Sequence, residues 1–131
     1  MQKITVLCVG KLKERFYQEA AAEYVKRLGR HCKLDVVELP ESRLPEDPCI
    51  EGKPCSSVEL SRRMQELAVS GKSQLTFLIG GSVGLAEDLK RQADWRLSMS
   101  PMTFPHHLAR IMLLEQIYRA CQIAAGTKYH K

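Results

Sequence analysis

One loop without acidic or strongly basic residues holds the side chains best suited to binding chemistry: SMSPMTFPHH, at positions 98 to 107. Pro101 and Pro105 fix their own φ angles and keep the residue before each of them extended, so the loop is rigid without helix or sheet hydrogen bonds. Its free peptide groups can hydrogen-bond the edges of a purine, while Phe104 and the two methionines cover the faces. The loop therefore fits an adenosine-containing ligand without phosphates. The alternative is an ordinary buried connection that places a proline before a helix.

A glycine-rich turn, LIGGSVG at positions 78 to 84, is the second candidate. It follows a strand pattern and precedes a helix pattern, which is the setting of phosphate-binding turns. However, the GGxxG spacing differs from the dinucleotide fingerprint GxGxxG, and no Gly-Lys-Ser or Gly-Lys-Thr follows the turn. Gly80 and Gly81 would still let a flat ligand or another loop approach the backbone closely. A plain tight turn is the alternative.

The helix predicted from about His106 to Ala125 carries Arg110 on an apolar side. Stepping ~100° per residue places Leu114 and Ile117 next to Arg110. A polar arc points the opposite way and consists of Glu115, Gln116, Arg119 and Gln122. Because an arginine on an apolar face is costly unless paired, Arg110 should contact a carboxylate, a ligand or a polyanion, and a structural salt bridge is one alternative. The remaining apolar sides of the helix would be covered by a second copy of the chain.

The spacing of the histidines predicts no metal site. His106 and His107 are adjacent, so their side chains point ~100° apart on a helix, and no further His or Cys stands at a supporting spacing. The five cysteines lack a CxxC pair, which favours reduced thiols over a disulfide framework or a zinc site. The closing TKYHK contains His130 and offers charge, an aromatic ring and a titratable group suited to RNA, with a frayed tail as the alternative.

Strand and helix patterns alternate along the chain, which predicts an α/β domain with a parallel sheet. Runs of β-branched and apolar residues predict strands at 3 to 10, 33 to 39, 74 to 81 and 95 to 100. Helical spacing predicts helices at 16 to 29, 56 to 71, 86 to 93 and 106 to 125. The second of these helices begins with Ser56-x-x-Glu59, a capping-box pattern.

Composition limits the class of partner. The 131 residues fit one domain, and the shares of 44% apolar and 27% charged residues are typical of a soluble globular protein. The net charge of +5, with bases concentrated in the first quarter of the chain, is compatible with a polyanionic partner, and a solvated helix face is the alternative. No apolar run reaches the length of a membrane span and no signal-peptide pattern opens the chain, so a cytoplasmic protein without a membrane partner is expected.

One junction does not fit this arrangement. The segment CIEGK, at 49 to 53, has the pattern of another strand, but only PESRLPEDP separates it from the strand that ends at Leu39. A parallel crossover normally needs a dozen or more residues, usually including a helix. Either this segment is no parallel strand, or residues are missing at the junction.

Four segments follow one another in a distinctive order: KITVLCVGKLKERF, FLIGGSVGL, LSMSPMTFPHHLARIMLLEQIYRA and the closing YHK. Together they resemble the bacterial ribosomal RNA large subunit methyltransferase H family of the SPOUT superfamily. The resemblance implies one α/β domain over residues 1–131, with a parallel sheet flanked by helices and a C-terminal trefoil knot, an exception to the rule against knots. It also implies a homodimer that transfers a methyl group from S-adenosylmethionine to N3 of a pseudouridine in 23S rRNA on the ribosome.

The resemblance also assigns cofactor-binding residues. Those expected to hold S-adenosylmethionine are Gly80, Met99, Ser100, Pro101, Met102, Thr103 and Phe104. Family members carry a helix and the first part of a strand between the segments that match Leu39 and Cys49, so roughly two dozen residues are expected to be missing near Pro48. The leucine that should contact the cofactor just before Cys49 is absent, which leaves Ile50 as the nearest retained neighbour.

The implied reaction is an in-line methyl transfer, which requires alignment of nitrogen, methyl and sulfur but no metal ion. His106 or His130, the latter from either subunit, would accept the N3 proton because imidazole titrates near neutrality. Arg110 or a lysine would stabilise the developing uridine anion. Two other functions stay open: an inactive ribosome- or RNA-binding module that keeps the knot, and a flavodoxin-like nucleotide-binding protein that uses GGSVG for phosphate.

Overall fold

The computed structural model describes residues 2–39, 53–71, 74–79, 97–98 and 105–130. Its strands are β1 (Gln2–Val9), β2 (Cys32–Leu39), β3 (Lys53–Pro54), β4 (Gln74–Ile79) and β5 (Leu97–Ser98). Its helices are α1 (Arg15–Leu28), α2 (Ser57–Val69) and α3 (His106–Ala124). The alternation of strands and helices confirms the predicted α/β class.

Strands β1, β2 and β4 form a parallel sheet in the order β2-β1-β4. Val6 of the central strand pairs with Val36 on one side and with Phe77 on the other. Strands β3 and β5 form a separate two-residue parallel pair. Because β1, β2 and β4 run in the same direction, their carboxyl ends lie at one edge of the sheet. This carboxyl edge is defined by Val9, Leu39 and Ile79.

One face of the sheet forms the hydrophobic core with the helices. Alternate residues of β1 point to this face, and Ile4, Val6 and Cys8 are buried there. Helix α3 packs against both α1 and α2 and is the main helical contributor to the core. The buried apolar residues of the helices are Leu28 of α1, Leu60 and Met64 of α2, and Leu113, Leu114, Ile117 and Ala120 of α3.

The helices begin and end within two residues of their predicted limits. The Ser56 hydroxyl accepts a hydrogen bond from the Glu59 N–H at 3.1 Å, which caps α2 as the capping-box pattern predicted. Beyond the end of α3, Gly126 has a φ of 72°, a conformation that glycine adopts at little cost. None of the helices in these described ranges is long and apolar enough to cross a membrane.

Part of the predicted arrangement lies outside the described residues. This applies to the helix at 86 to 93, most of the strand at 95 to 100, the segment at 49 to 52 and the chain that would form the knot, so the knot stays a prediction. Lys53, the last residue of the CIEGK segment, begins β3 and pairs with Leu97 in parallel. Its described neighbour is therefore β5, and the strand does not adjoin β2.

Replacing Leu114 with Ala should lower the free energy of unfolding by about 2–5 kcal/mol, because this fully buried side chain would leave a cavity between α3 and the sheet. Urea denaturation measures the change. Leu108→Ala, on the same helix, is the matched control. Its side chain is 36% exposed, and we expect a loss below about 1 kcal/mol. Equal losses in the two variants would contradict this orientation of α3.

Candidate active site

The carboxyl edge of the sheet is the place where parallel α/β sheets bind ligands. The glycine-rich turn starts there, because Gly80 directly follows β4. Helix α3 begins at His106, directly after the proline-rich loop, and its second turn reaches the same edge, where Arg110 contacts Glu38 of β2. The described elements thus bring the start of the glycine-rich turn and the end of the proline-rich loop to a single edge of the sheet.

The predicted cofactor-binding residues themselves lie outside the described residues: Ile50, Gly80, Met99, Ser100, Pro101, Met102, Thr103 and Phe104. Their described flanks are Ile79, half-buried at the end of β4, and Pro105, exposed immediately before α3. The assignment of these residues to a cofactor stays a prediction.

Arg110 is buried and forms an ion pair with a partly exposed carboxylate at the carboxyl edge. The residue is 2% exposed, its Nη1 donates to Oε2 of Glu38 at 2.7 Å, and its Nη2 donates to the carbonyl oxygen of Gly10 at 2.9 Å. Its Nε is buried without a hydrogen-bond partner among the described residues. Of the partners that the sequence left open, a carboxylate is the one observed here. The guanidinium joins α3 to β2 and to the end of β1, while its predicted action on the substrate stays a prediction.

This pairing sets the ionisation of the groups around it. The hydrogen bond from Arg110 lowers the pKa of Glu38 and outweighs the opposing effect of burial, and the N–H of Leu12 lowers it further. Burial raises the pKa of the neighbouring Cys8 thiol, although the charge of Arg110 acts in the opposite direction. At neutral pH the carboxylate is therefore ionised and the thiol is protonated, which makes Cys8 a poor nucleophile.

Glu38 also holds the β1–α1 loop, residues 10–14. The Leu12 N–H donates to the Glu38 carboxylate at 3.1 Å. On the α3 side, Nδ1 of His107 lies 3.7 Å from Oε2 of Glu14. The loop is therefore fixed between β2 and the first turn of α3.

His130 lies at the other end of α3. Its Nδ1 is 3.1 Å from Nη1 of Arg119, and Nε of Arg119 donates to Glu115 at 2.8 Å. The ring of Tyr129 faces the same guanidinium, with its centroid 5.0 Å from Cζ. Because an α-helix rises ~1.5 Å per residue, Arg119 lies ~20 Å along α3 from His106. Within one chain, the two candidate bases are therefore far apart.

Sequence reasoning missed Glu38. In KLDVVEL the core-facing positions alternate, so Glu38 shares a face with Leu34 and Val36, both of which pack against the core. A carboxylate in that register points to a buried cation on the helix above it. The identity of the cation depends on where α3 crosses the sheet, and residue spacing does not reveal that crossing.

Neither a metal centre nor an activated thiol is found in the part of the chain that the structure describes. No group of three His, Cys, Asp or Glu side chains there could hold a metal ion. The four described cysteines are free, and burial raises the pKa of Cys121 to about 11. These thiols are structural side chains.

Comparison with known proteins gives one consistent result. A family model described as "Predicted SPOUT methyltransferase" matches residues 2–48 and 49–130. Curated relatives named "Ribosomal RNA large subunit methyltransferase H" come from Alkaliphilus oremlandii (40% identical), Clostridium novyi (41%) and Bifidobacterium adolescentis (41%), and each alignment covers 98% of this chain and 99% of the relative. The first two alignments span 157 positions although the chain has 131 residues, so these relatives contain residues without a counterpart here.

Replacing Glu38 with Gln should destabilise the fold at pH 7 by about 1–3 kcal/mol, towards the lower value because the carboxylate is partly exposed. The pKa of Glu38 is lower in the folded state than its unfolded value of about 4.3, so its contribution is present above that pH and is lost as the pH falls through the folded pKa. Urea denaturation of wild type and Glu38→Gln should show a smaller difference in unfolding free energy at low pH than at pH 7.

The matched control is Glu23→Gln, which breaks an exposed pair with Arg27 and should cost below about 0.5 kcal/mol at either pH. If the difference in unfolding free energy between wild type and Glu38→Gln stays constant with pH, the carboxylate charge is not what stabilises this edge.

Proposed function

Because the chain belongs to the SPOUT methyltransferase family, we propose that it methylates ribosomal RNA of the large subunit. The observation that carries this proposal is the extent of the similarity, which includes 98% of the chain and 99% of relatives that are about 40% identical. The net charge of +5 suits a polyanionic RNA substrate. The carboxyl edge, which holds Arg110 and the start of α3, is the proposed site.

The methyl donor in this proposal is S-adenosylmethionine, which supplies, when bound, a methyl group activated on a sulfonium sulfur. Gly80 and the loop at 99–104 would hold its adenosine part, with Ile50 alongside. The described flanks fit this assignment. Ile79 is the last residue of β4, at the carboxyl edge, and Pro105 directly precedes α3 there. A trefoil knot in this part of the chain would press the glycine turn and the loop against each other.

The proposed acceptor is N3 of a pseudouridine in 23S rRNA. The site has to align N3 with the methyl–sulfur axis and remove the N3 proton, while a carbon–nitrogen bond replaces the carbon–sulfur bond. His106, at the first position of α3, would accept this proton. The first turn of α3 has no side-chain cap in the described residues, so its N–H groups would favour the uracil anion. Arg110 would add to this effect, although the Glu38 carboxylate already offsets much of its charge.

The tail would complete the site of a second copy. His130 is held beside Arg119, ~20 Å along α3 from His106, so its imidazole would reach a carboxyl edge only in another subunit. The exposed side chain of Val25 on α1 and the half-buried Met112 and Ile123 on α3 supply apolar surface for a homodimer. A ribosomal substrate would place this dimer in the cytoplasm.

The protein should methylate intact ribosomes and bind S-adenosylmethionine and S-adenosylhomocysteine, but not ATP. Transfer of a labelled methyl group to ribosomes or free rRNA, followed by mapping of the modified nucleotide, tests the reaction, and calorimetry tests the ligands. Preference for ATP would favour the flavodoxin-like alternative and contradict the proposal.

One observation favours a second candidate, an inactive RNA-binding module. The family match is interrupted between residues 48 and 49, next to the place where the resemblance expects a cofactor-contacting leucine. This module would bind ribosomes but give no heat with either adenosyl ligand and transfer no methyl group.

The two histidines should act together across the dimer. Replacing both His106 and His130 with Gln should lower the single-turnover rate by ~10²-fold or more, because the N3 proton loses its acceptor. Retention of the rate within a few-fold would show that neither imidazole is the base.

Mixed dimers of the two single variants, His106→Gln and His130→Gln, show whether His130 acts in the partner's site or in the site of its own chain. If His130 acts in the partner's site, each mixed dimer has one site with both imidazoles and regains activity that neither parent shows. If both residues act within one chain, no site is complete and mixing restores nothing.

A further inference from the structure

We propose that the segment KLKERF, positions 11 to 16, is a docking surface for single-stranded rRNA beside the site, an inference that rests on the function proposed above. Its ends differ in chemistry. Lys11 and Lys13 are exposed on the β1–α1 loop, and Phe16 is 65% exposed in the first turn of α1. Ammonium groups contact phosphates and an exposed ring stacks on a base, which is how proteins hold unpaired RNA.

Most neighbouring acids contact residues other than the two lysines, although Glu38 also lies within electrostatic range of Lys11. Glu38 accepts from Arg110, Glu14 lies against His107, and Glu19 pairs with Arg15 at 2.9 Å. Within the described part of the chain, neither Lys11 nor Lys13 forms an ion pair. Their ammonium groups are therefore available to a polyanion.

The loop is ordered before RNA arrives. The Gly10 carbonyl accepts from Arg110, the Leu12 N–H donates to Glu38, and the Leu12 carbonyl accepts from Nε2 of Gln18 at 2.8 Å. The turn itself uses Gly10 with a φ of 84°. Because these backbone groups are already fixed, binding loses little further conformational entropy.

Phe16 begins a row of ring side chains that leads from this surface to α3. The ring centroids of Phe16 and Tyr17 are 4.3 Å apart. The rings of Tyr17 and His107 form an edge-to-face contact, with their centroids 6.0 Å apart. His107 follows His106, the proposed base. Phe16 and Val25 are nine positions apart, which places them on opposite sides of α1, so the side proposed for the dimer leaves Phe16 accessible.

The test compares two double variants that remove the same charge. Lys11→Gln with Lys13→Gln should raise KM for intact ribosomes roughly tenfold and leave kcat and S-adenosylmethionine affinity unchanged. Fluorescence anisotropy with a labelled, protein-free single-stranded rRNA fragment should show a salt dependence weaker by about 1.4 in log–log slope, because two phosphate contacts are lost. The matched control is Lys26→Gln with Lys33→Gln, at the opposite end of α1 and the start of β2, and should change KM by less than about twofold.

Substitutions of Phe16 test whether its ring stacks on an RNA base. Phe16→Ala should weaken binding of the same RNA fragment roughly tenfold, and Phe16→Trp should restore it, because any large ring can stack on a base. Failure of Trp to restore binding would overturn the role of the ring.

The remaining outcomes also decide the proposal. Equal weakening by both lysine pairs would show that net charge alone matters, and weaker binding to ribosomes with unchanged binding to protein-free RNA would assign the surface to a ribosomal protein. Either result, or no change at all, overturns the inference. If wild-type protein transfers no methyl group, the proposed function fails, whereas the anisotropy measurements still test this surface.

Discussion

The ion pair between the buried Arg110 and the partly exposed Glu38 is the interaction on which the arrangement of the carboxyl edge depends. A guanidinium removed from water is costly, and here two acceptors on neighbouring strands compensate it: the Glu38 carboxylate on β2 and the Gly10 carbonyl after β1. Because both acceptors are needed at once, α3 cannot slide along the sheet without leaving a buried charge unpaired. The same pair therefore fixes the position of His106 and the shape of the β1–α1 loop.

Local sequence signals predicted the described elements well. Runs of β-branched and apolar residues located β1 and β2, and the Ser56 cap located the start of α2. The apolar side of α3 was predicted by helical spacing, which placed Arg110 next to residues that are buried in the structure. Such signals succeed because they depend on contacts within one element or with one generic core.

The partners within the site could not be predicted in the same way. Arg110 required an acceptor, but whether this is Glu38, a ligand or a polyanion depends on the crossing of α3 over β2, 72 residues apart in the chain. The separation of His106 and His130 likewise depends on the tail folding back onto Arg119. Long-range geometry of this kind has no local pattern. The proline-rich loop and the glycine turn, in contrast, were singled out by their own residues, and their assignment to S-adenosylmethionine came from the resemblance to a family.

The described core and the proposed cofactor site depend on different parts of the chain. The described core lies between the β2-β1-β4 sheet and the three helices. The proposed site, in contrast, uses segments next to β3, β4 and β5, and the family match is interrupted directly before β3. In the proposed function, binding of a methyl donor would depend on this junction, whereas the described core is formed by the sheet and the helices. A stably folded chain would therefore not by itself be a sign of an active one.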